Sequence, residues 1–203
     1  MEHAWEPMTT VEAQRRFSDA HIDWWIAGGH AIDLFLGWES RPHADLDVEM
    51  FREDRAVLFE IFDGWDLHVA SAGSLHPWRD PEALDESVFG VWLRPSPDEP
   101  WQLEIMLADG DRTEWRFRRD PSITMSGSRL IRTTRDGLPY CTPEVQLLYK
   151  SKMSRSKDDL DLARCLHRMT LDQRRWLADA VATTGGNHPW ISAIEASMEQ
   201  AHE

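Results

Sequence analysis

The feature that most constrains this chain is the stretch "WWIAGGHAIDLFLGWESRPHADLDVEMF", residues 24 to 51. Two adjacent glycines end a short apolar run, and two aspartates separated by one residue follow some sixteen positions later. "DLDVEMF" alternates strictly, which predicts a strand with Asp45, Asp47 and Glu49 on one face and Leu46, Val48 and Met50 on the other. Aspartates at i and i+2 on a strand point the same way, so their carboxylates converge on one or two hard cations. Magnesium suits such a pair, because it takes its remaining ligands from water and substrate phosphates. Gly28 and Gly29 supply a matching cradle: without side chains, backbone amides approach a phosphate closely, and the helix that follows, "AIDLFL", presents its positive end there. Neither the full dinucleotide fingerprint nor a P-loop lysine accompanies the glycines.

The rest of the chain reads as a strand-rich first part and a helical second part. A helix is expected from Thr9 to about Ala20, a buried strand at "WWIA", a helix over roughly 53 to 62 ending near Gly64, and a strand at "WDLHVA". "SVFGVWLR" and "PWQLEIML" flank "PSPDE" as a hairpin, and short strands occupy 115 to 133. Thr142 with Pro143 and Glu144 reads as a helix start, Ser156 as the cap of a second helix with Asp158 and Asp159 in its first turn, and Thr170 with Gln173 as a capping box for a third. "HPWISAIEASMEQ" forms a terminal helix. The expected organisation is a core over 1–138 and a helical subdomain over 139–203.

Charge narrows the partners. Thirty-six acids against twenty-two bases give a net of −14, which repels a nucleic-acid backbone unless a basic patch is set apart. No nucleic-acid partner is expected. Only three bases are lysines, Lys150, Lys152 and Lys157, all within "YKSKMSRSK". No apolar run approaches a membrane span and the opening "MEHAWEPMTT" lacks a secretion signal, so a cytoplasmic location and no membrane partner are expected. Cys141 and Cys165 show no metal-ligand spacing and read as reduced and structural. The eleven tryptophans read mostly as packing, with one or two free to stack a base or flank a sugar.

"GGHAIDLFLG" followed by "SRPHADLDV" resembles the signature of small nucleotidyltransferases of the polymerase-β-like superfamily, most closely the aminoglycoside and lincosamide nucleotidyltransferases. Their pattern of Gly-Gly turn, short helix, Arg-x-His and Asp-x-Asp falls on Gly28, Gly29, Arg41, His43, Asp45 and Asp47. The resemblance covers roughly residues 24 to 165 and implies an α+β fold, a mixed sheet with flanking helices followed by a helical C-terminal part. It also implies a third acid, Glu104 in "WQLEIML", as metal ligand or general base, and a helix, "PYCTPEVQLLYKSK", that sends Lys150 to the triphosphate. Arg41 and His43 would bind or orient phosphate. Two positions depart from relatives: His30 stands where tryptophan is frequent, and Glu104 where aspartate is common.

The function so implied is transfer of a nucleoside monophosphate from a nucleoside triphosphate, with ATP the first choice, to a hydroxyl of a small molecule. Two magnesium ions on Asp45, Asp47 and Glu104 are expected. The acidic surface suits a cationic acceptor such as an aminoglycoside. A silent, antitoxin-like relative and a metal-dependent phosphohydrolase remain open, as does a plain solvent-facing role for Glu104, with Glu49 the substitute acid on the same face.

Overall fold

The computed structural model describes residues 4–71, 73–82, 84–153 and 155–200. In chain order the elements are α1 (Thr10–Phe17), β1 (Trp24–Ile26), α2 (Gly28–Leu36), β2 (Asp47–Phe51), a 3-10 turn (Arg52–Val57), α3 (Leu58–Ile61), β3 (Asp66–Ser71), β4 (Ser74–Pro77), β5 (Gly90–Arg94) and β6 (Leu103–Gly110). They continue with β7 (Glu114–Arg116), β8 (Thr124–Ser126), α4 (Gly127–Leu130), β9 (Ile131–Thr133), β10 (Pro139–Cys141), α5 (Pro143–Ser151), α6 (Ser156–Leu166), α7 (Leu171–Gly185) and α8 (Pro189–Glu199). The architecture is α+β, as expected. One mixed sheet runs β4-β3-β5-β6-β2-β1-β10-β9, with β7 and β8 branching from β6.

Two pairings in this sheet are parallel, β1 with β10 and β2 with β6. The second places Asp47 opposite Glu104 and Glu49 opposite Met106. The hairpin flanking "PSPDE" then sets β5 antiparallel to β6 and Trp92 opposite Glu104. Cross-strand partners share a face, so the register alone puts Asp47, Glu104 and Trp92 in one row. The opposite face is the core: Val48, Met50, Leu103, Ile105, Val91 and Leu93 are buried there.

Local chemistry explains where elements begin and end. Thr9 and Glu12 form a reciprocal cap on α1, and Thr170 and Gln173 do the same for α7. α2 stops at Gly37, whose φ of 78° is the left-handed conformation glycine supplies at a helix end. Three sequence expectations need correction. β2 begins at Asp47, so Asp45 is exposed in the preceding loop rather than on the strand. Thr142 makes no hydroxyl cap; its Oγ1 donates to Glu144 Oε2 at 2.6 Å, a stronger charge-assisted bond. Ser156 is the first helical residue of α6, and the turn is closed instead by Asp158, which accepts from the Arg155 amide at 3.1 Å.

α5 is a core helix in which Pro143 to Leu148 and Ser151 are buried. It packs against α2, α6 and α7. Both cysteines are buried and free, as expected. Among the described residues no helix is long and apolar enough to cross a membrane.

Glu144 fixes α5 against α7. Its carboxylate is buried and accepts from Thr142 and from Gln173 Nε2 at 2.7 Å. Gln173→Ala removes the second donor and should cost about 1–3 kcal/mol of stability. Urea unfolding of the two proteins measures this, and a change within a few tenths of a kcal/mol would show that α7 does not hold the helix.

Candidate active site

Asp47 opens β2 immediately beside the β1–α2 turn. Gly28 has φ 64°, and a Cβ there would run into Asp47 Oδ2; a Cβ on Gly29 would run into the His43 ring. Close approach thus requires both glycines, and at Gly28 the left-handed conformation does as well. The Gly28 amide is already engaged, donating to Gln146 Oε1 of α5 at 2.9 Å. The cradle available to a ligand is therefore the rest of the first turn of α2.

Asp47 is half-buried, and its carboxyl is pushed up to about 7 by burial and by the negative charges of Glu104 and Asp45, against the opposing pull of Lys150. Glu104 is raised by burial and by Asp45, with the Trp92 indole hydrogen bond pulling the other way. Its Oε1 lies over Gly90 of β5, where an added Cβ would stand 3.0 Å away. The longer glutamate thus has its room from a glycine on the neighbouring strand. Glu49 shares the face but is buried; Trp25 Nε1 donates to it at 2.9 Å, and burial holds it at about 7 despite the Trp25, Arg118 and Tyr149 contacts.

A cavity of about 730 Å³ opens over Asp45, Asp47, Gly28 and Gly29, and its far wall is cationic: Arg41, Arg119, Lys150, Lys152, Arg155 and Lys157. A smaller one of about 240 Å³ adjoins it and holds Glu104, Glu49 and Arg118, sharing Asp47, Gly28, Arg119, Gln146 and Tyr149. The structure thus brings all the predicted site residues to two touching cavities, with Asp47 at the junction. Lys150 is not a free cation, however. Its Nζ sits 3.2 Å from Asp158 and 3.0 Å from Asp161, both almost fully buried. Arg155 also pairs with Asp158 at 2.8 Å, and Arg41 with Asp161 at 3.4 Å. Burial pushes Asp158 up, but the Arg155 hydrogen bonds and Lys150 outweigh it and hold the carboxyl at about 2. Three cations share two carboxylates, which fixes their positions and leaves the wall positive.

Arg41 and His43 are held from the other side by Asp33. Arg41 Nη1 stands 3.0 Å from His43 Nδ1, and a guanidinium only donates, so Nδ1 carries the lone pair. The proton is then on Nε2, which donates to Asp33 Oδ2 at 2.6 Å. Asp33 also accepts from the Ser40 amide and hydroxyl, and these bonds with His43 outweigh burial and lower its carboxyl. Asp33 locks the loop that delivers the aspartates. Sequence reading passed over it, although an acid inside the apolar run "AIDLFL" was a visible signal.

Among the described residues, the metal-type group whose ligand atoms converge within 4.8 Å is His30, Asp33 and His43, not the three carboxylates. His43 has both ring nitrogens in use, which leaves it no lone pair for a cation without breaking the loop anchor. Asp45, Asp47 and Glu104 are an all-oxygen, mutually repelling set, and that chemistry fits magnesium. Asp45 stands in the loop before β2, outside the strand row of Asp47 and Glu104.

Residues 10–70 match the family model described as aminoglycoside-2''-adenylyltransferase, a span that holds the glycines, Asp33, Arg41, His43 and both aspartates but neither Glu104 nor Lys150. Two solved structures share the fold. The lincomycin-bound lincosamide antibiotic adenylyltransferase LnuA is 17% identical with a TM-score of 0.53, over 78% of this chain and 97% of that one. The antibiotic-resistance factor ANT(2'')-Ia in solution is 16% identical with a TM-score of 0.53, over 95% and 93%. No curated protein matches the chain in sequence.

The raised carboxyls set a pH dependence. Asp47 binds its proton more tightly folded than unfolded, so without metal its contribution is complete below the ordinary aspartate value and is lost as pH rises from ~4 to ~7; Glu49 acts in the same direction. Millimolar magnesium should therefore raise the melting temperature markedly at pH 7.5 and little at pH 5, and Asp47→Asn should remove the difference. Equal shifts at both pH values would dissociate the carboxylates from metal.

Proposed function

We propose that this chain, which has the polymerase-β-like nucleotidyltransferase fold and resembles the aminoglycoside and lincosamide adenylyltransferases, transfers a nucleoside monophosphate from a nucleoside triphosphate to a hydroxyl of a small molecule. The observation that carries the reading is the junction at Asp47: a carboxylate pair across β2 and β6 meets a cation-walled cavity in a chain of net charge −14. That separation of charge suits a triphosphate, whose reacting phosphorus faces the acids while its leaving end faces the bases.

Asp45, Asp47 and Glu104 would hold the magnesium, expected as two ions, whose chemistry here is to neutralise phosphate charge and favour the ionised acceptor hydroxyl. The remaining roles belong to the protein. Glu104, whose carboxyl is raised by burial, takes the hydroxyl proton. The acceptor oxygen forms its bond to the α-phosphorus, the bond from that phosphorus to the bridging oxygen breaks, and the electron pair leaves on pyrophosphate. Lys150 and Arg155, preset by Asp158 and Asp161, lie in the wall that receives that charge. The first turn of α2 at Gly28 and Gly29 faces the phosphates with its positive end. Arg41 and His43, pinned by Asp161 and Asp33, orient the donor. ATP is the donor to test first, and an aminoglycoside or related antibiotic the acceptor.

Mass spectrometry of hydroxyl acceptors incubated with each triphosphate and magnesium tests the reading. A nucleotidylated acceptor with pyrophosphate release supports it. Free monophosphate or phosphate without an adduct would make the protein a phosphohydrolase, and no turnover would make it a silent relative.

Asp45→Asn and Asp47→Asn should each abolish transfer with the fold intact, and near wild-type rates would remove that residue from the metal set. Glu104→Gln should slow single turnover by ~10²-fold or more while triphosphate affinity moves only a few fold. Lys150→Ala should weaken triphosphate use far more than Lys157→Ala. It should also destabilise the fold by roughly 3 kcal/mol, because two buried aspartates lose a shared partner. Loss of activity without loss of stability would mean that those ion pairs carry no structural weight.

A further inference from the structure

We propose that His30, Asp33 and His43 form a second metal site, one for zinc, and that zinc bound there acts as a switch by parting Arg41 from His43. The site stands on its own geometry. That a nucleotide feels the switch rests on the transfer reading above.

His30 and Asp33 are three residues apart on α2, which puts both side chains on one face of the helix, and His43 meets them from the loop before β2. One ligand atom from each lies within 4.8 Å of the other two. The His30 and His43 rings are 4.3 Å apart between centroids, and among the described residues neither nitrogen of His30 has a hydrogen-bond partner. Ser40 occupies Asp33 Oδ1 through its amide and hydroxyl, so Oδ2 is the oxygen left to turn to a cation. Around a tetrahedral zinc, ligand atoms stand about 3.3 Å apart. The 2.6 Å link from His43 Nε2 to Asp33 Oδ2 would open by about 0.7 Å, and His30 would close by no more than about 1.5 Å. Two imidazoles and a carboxylate with a fourth position for water suit zinc, whereas magnesium takes oxygens. The two metals would therefore sort between this site and the carboxylates of Asp45, Asp47 and Glu104.

A groove of about 780 Å³ gives access to His30 and Asp33, with the acids Glu39 and Asp136 on its border against one base, Arg135. His43 lines the neighbouring cavity over Asp47 instead. The three residues thus stand between the groove and the candidate active site, and one proton links the two sides. His43 carries that proton on Nε2, while Nδ1 accepts from Arg41 at 3.0 Å. Zinc needs the Nε2 lone pair, so the proton moves to Nδ1 and two donors face each other. Arg41 must then leave His43, keeping its 3.4 Å contacts to Asp161. A ligand that needs Arg41 where His43 holds it is weakened by zinc, and weakens zinc by the same factor.

The test uses the full chain in millimolar magnesium, with free zinc buffered. Zinc should bind as one equivalent, and cobalt in its place should show the visible absorption of a four-coordinate site, lost on adding zinc. His30→Phe should weaken zinc by at least ~10–100-fold, the cost of losing even an outer partner of a metal ligand. His30→Gln should do likewise, and it decides the matter if the first variant does not fold. Arg41→Ala should bind zinc several-fold tighter, because nothing then competes for Nδ1; a purely structural role for the three residues would not produce that gain. Zinc should weaken a non-hydrolysable magnesium–ATP analogue about five-fold or more in the wild type and not in the His30 variants. Zinc that does not bind, or binds equally to the wild type and the His30 variants, overturns the site. His30-dependent zinc binding that leaves the analogue's affinity unchanged, or that Arg41→Ala does not strengthen, overturns the switch. The expected antagonism with no nucleotidylated product from any acceptor, zinc present or absent, supports the site and the switch and overturns the transfer reading.

Discussion

Two carboxylates on neighbouring parallel strands, Asp47 and Glu104, are drawn out of water within one strand spacing of each other. Burial and mutual repulsion both disfavour their charged forms, and the rest of the structure answers that cost. Gly28 and Gly90 leave room beside the two acids, since a Cβ on either would press on a carboxylate oxygen. Lys150 faces Asp47 from α5, and α5 is placed by Gln146 on the Gly28 amide and by Glu144 on α7. In the proposed function, a magnesium-bearing phosphate ligand would complete the compensation that Lys150 begins.

The neighbouring cations show how such a wall is held open. Lys150, Arg155 and Arg41 line the cavity that Asp45 and Asp47 also line. Asp158 and Asp161 pair with all three, and Asp33 holds His43 and through it Arg41. These acids of α6 and α2 act as counter-ions to the cationic wall, Asp158 from within the cavity lining itself. In the proposed transfer, such preset cations would not have to move as phosphate charge develops, which is the condition for strong electrostatic stabilisation.

Much of this was legible in the sequence because local rules wrote it. The alternation of "DLDVEMF", the glycine pair and the turn in "PSPDE" each announce themselves within a few residues, and together they imply a sheet carrying Asp47 and Glu104. Other parts are set by contacts between distant segments. Nothing near Asp158 or Asp161 says that they hold Lys150, and nothing near Gly90 says that Glu104 lies over it. Glu49 alternates in step with the aspartates, yet the Trp25 indole and burial make it an interior group. Thr142 and Ser156 have the right residue types for caps, but Glu144 and Asp158 outbid them with charged acceptors.

Asp161 receives both Arg41, from the loop before β2, and Lys150, from α5. One carboxylate thus serves two cations that the chain supplies from far apart, and the histories of those positions cannot be independent. A substitution at Arg41 changes the environment that Lys150 inherits, and the reverse, so the tolerated residue at either depends on which stands at the other. Across diverging descendants these three positions should change in concert, while Lys157, which has a wall to line but no shared partner among the described residues, drifts by itself.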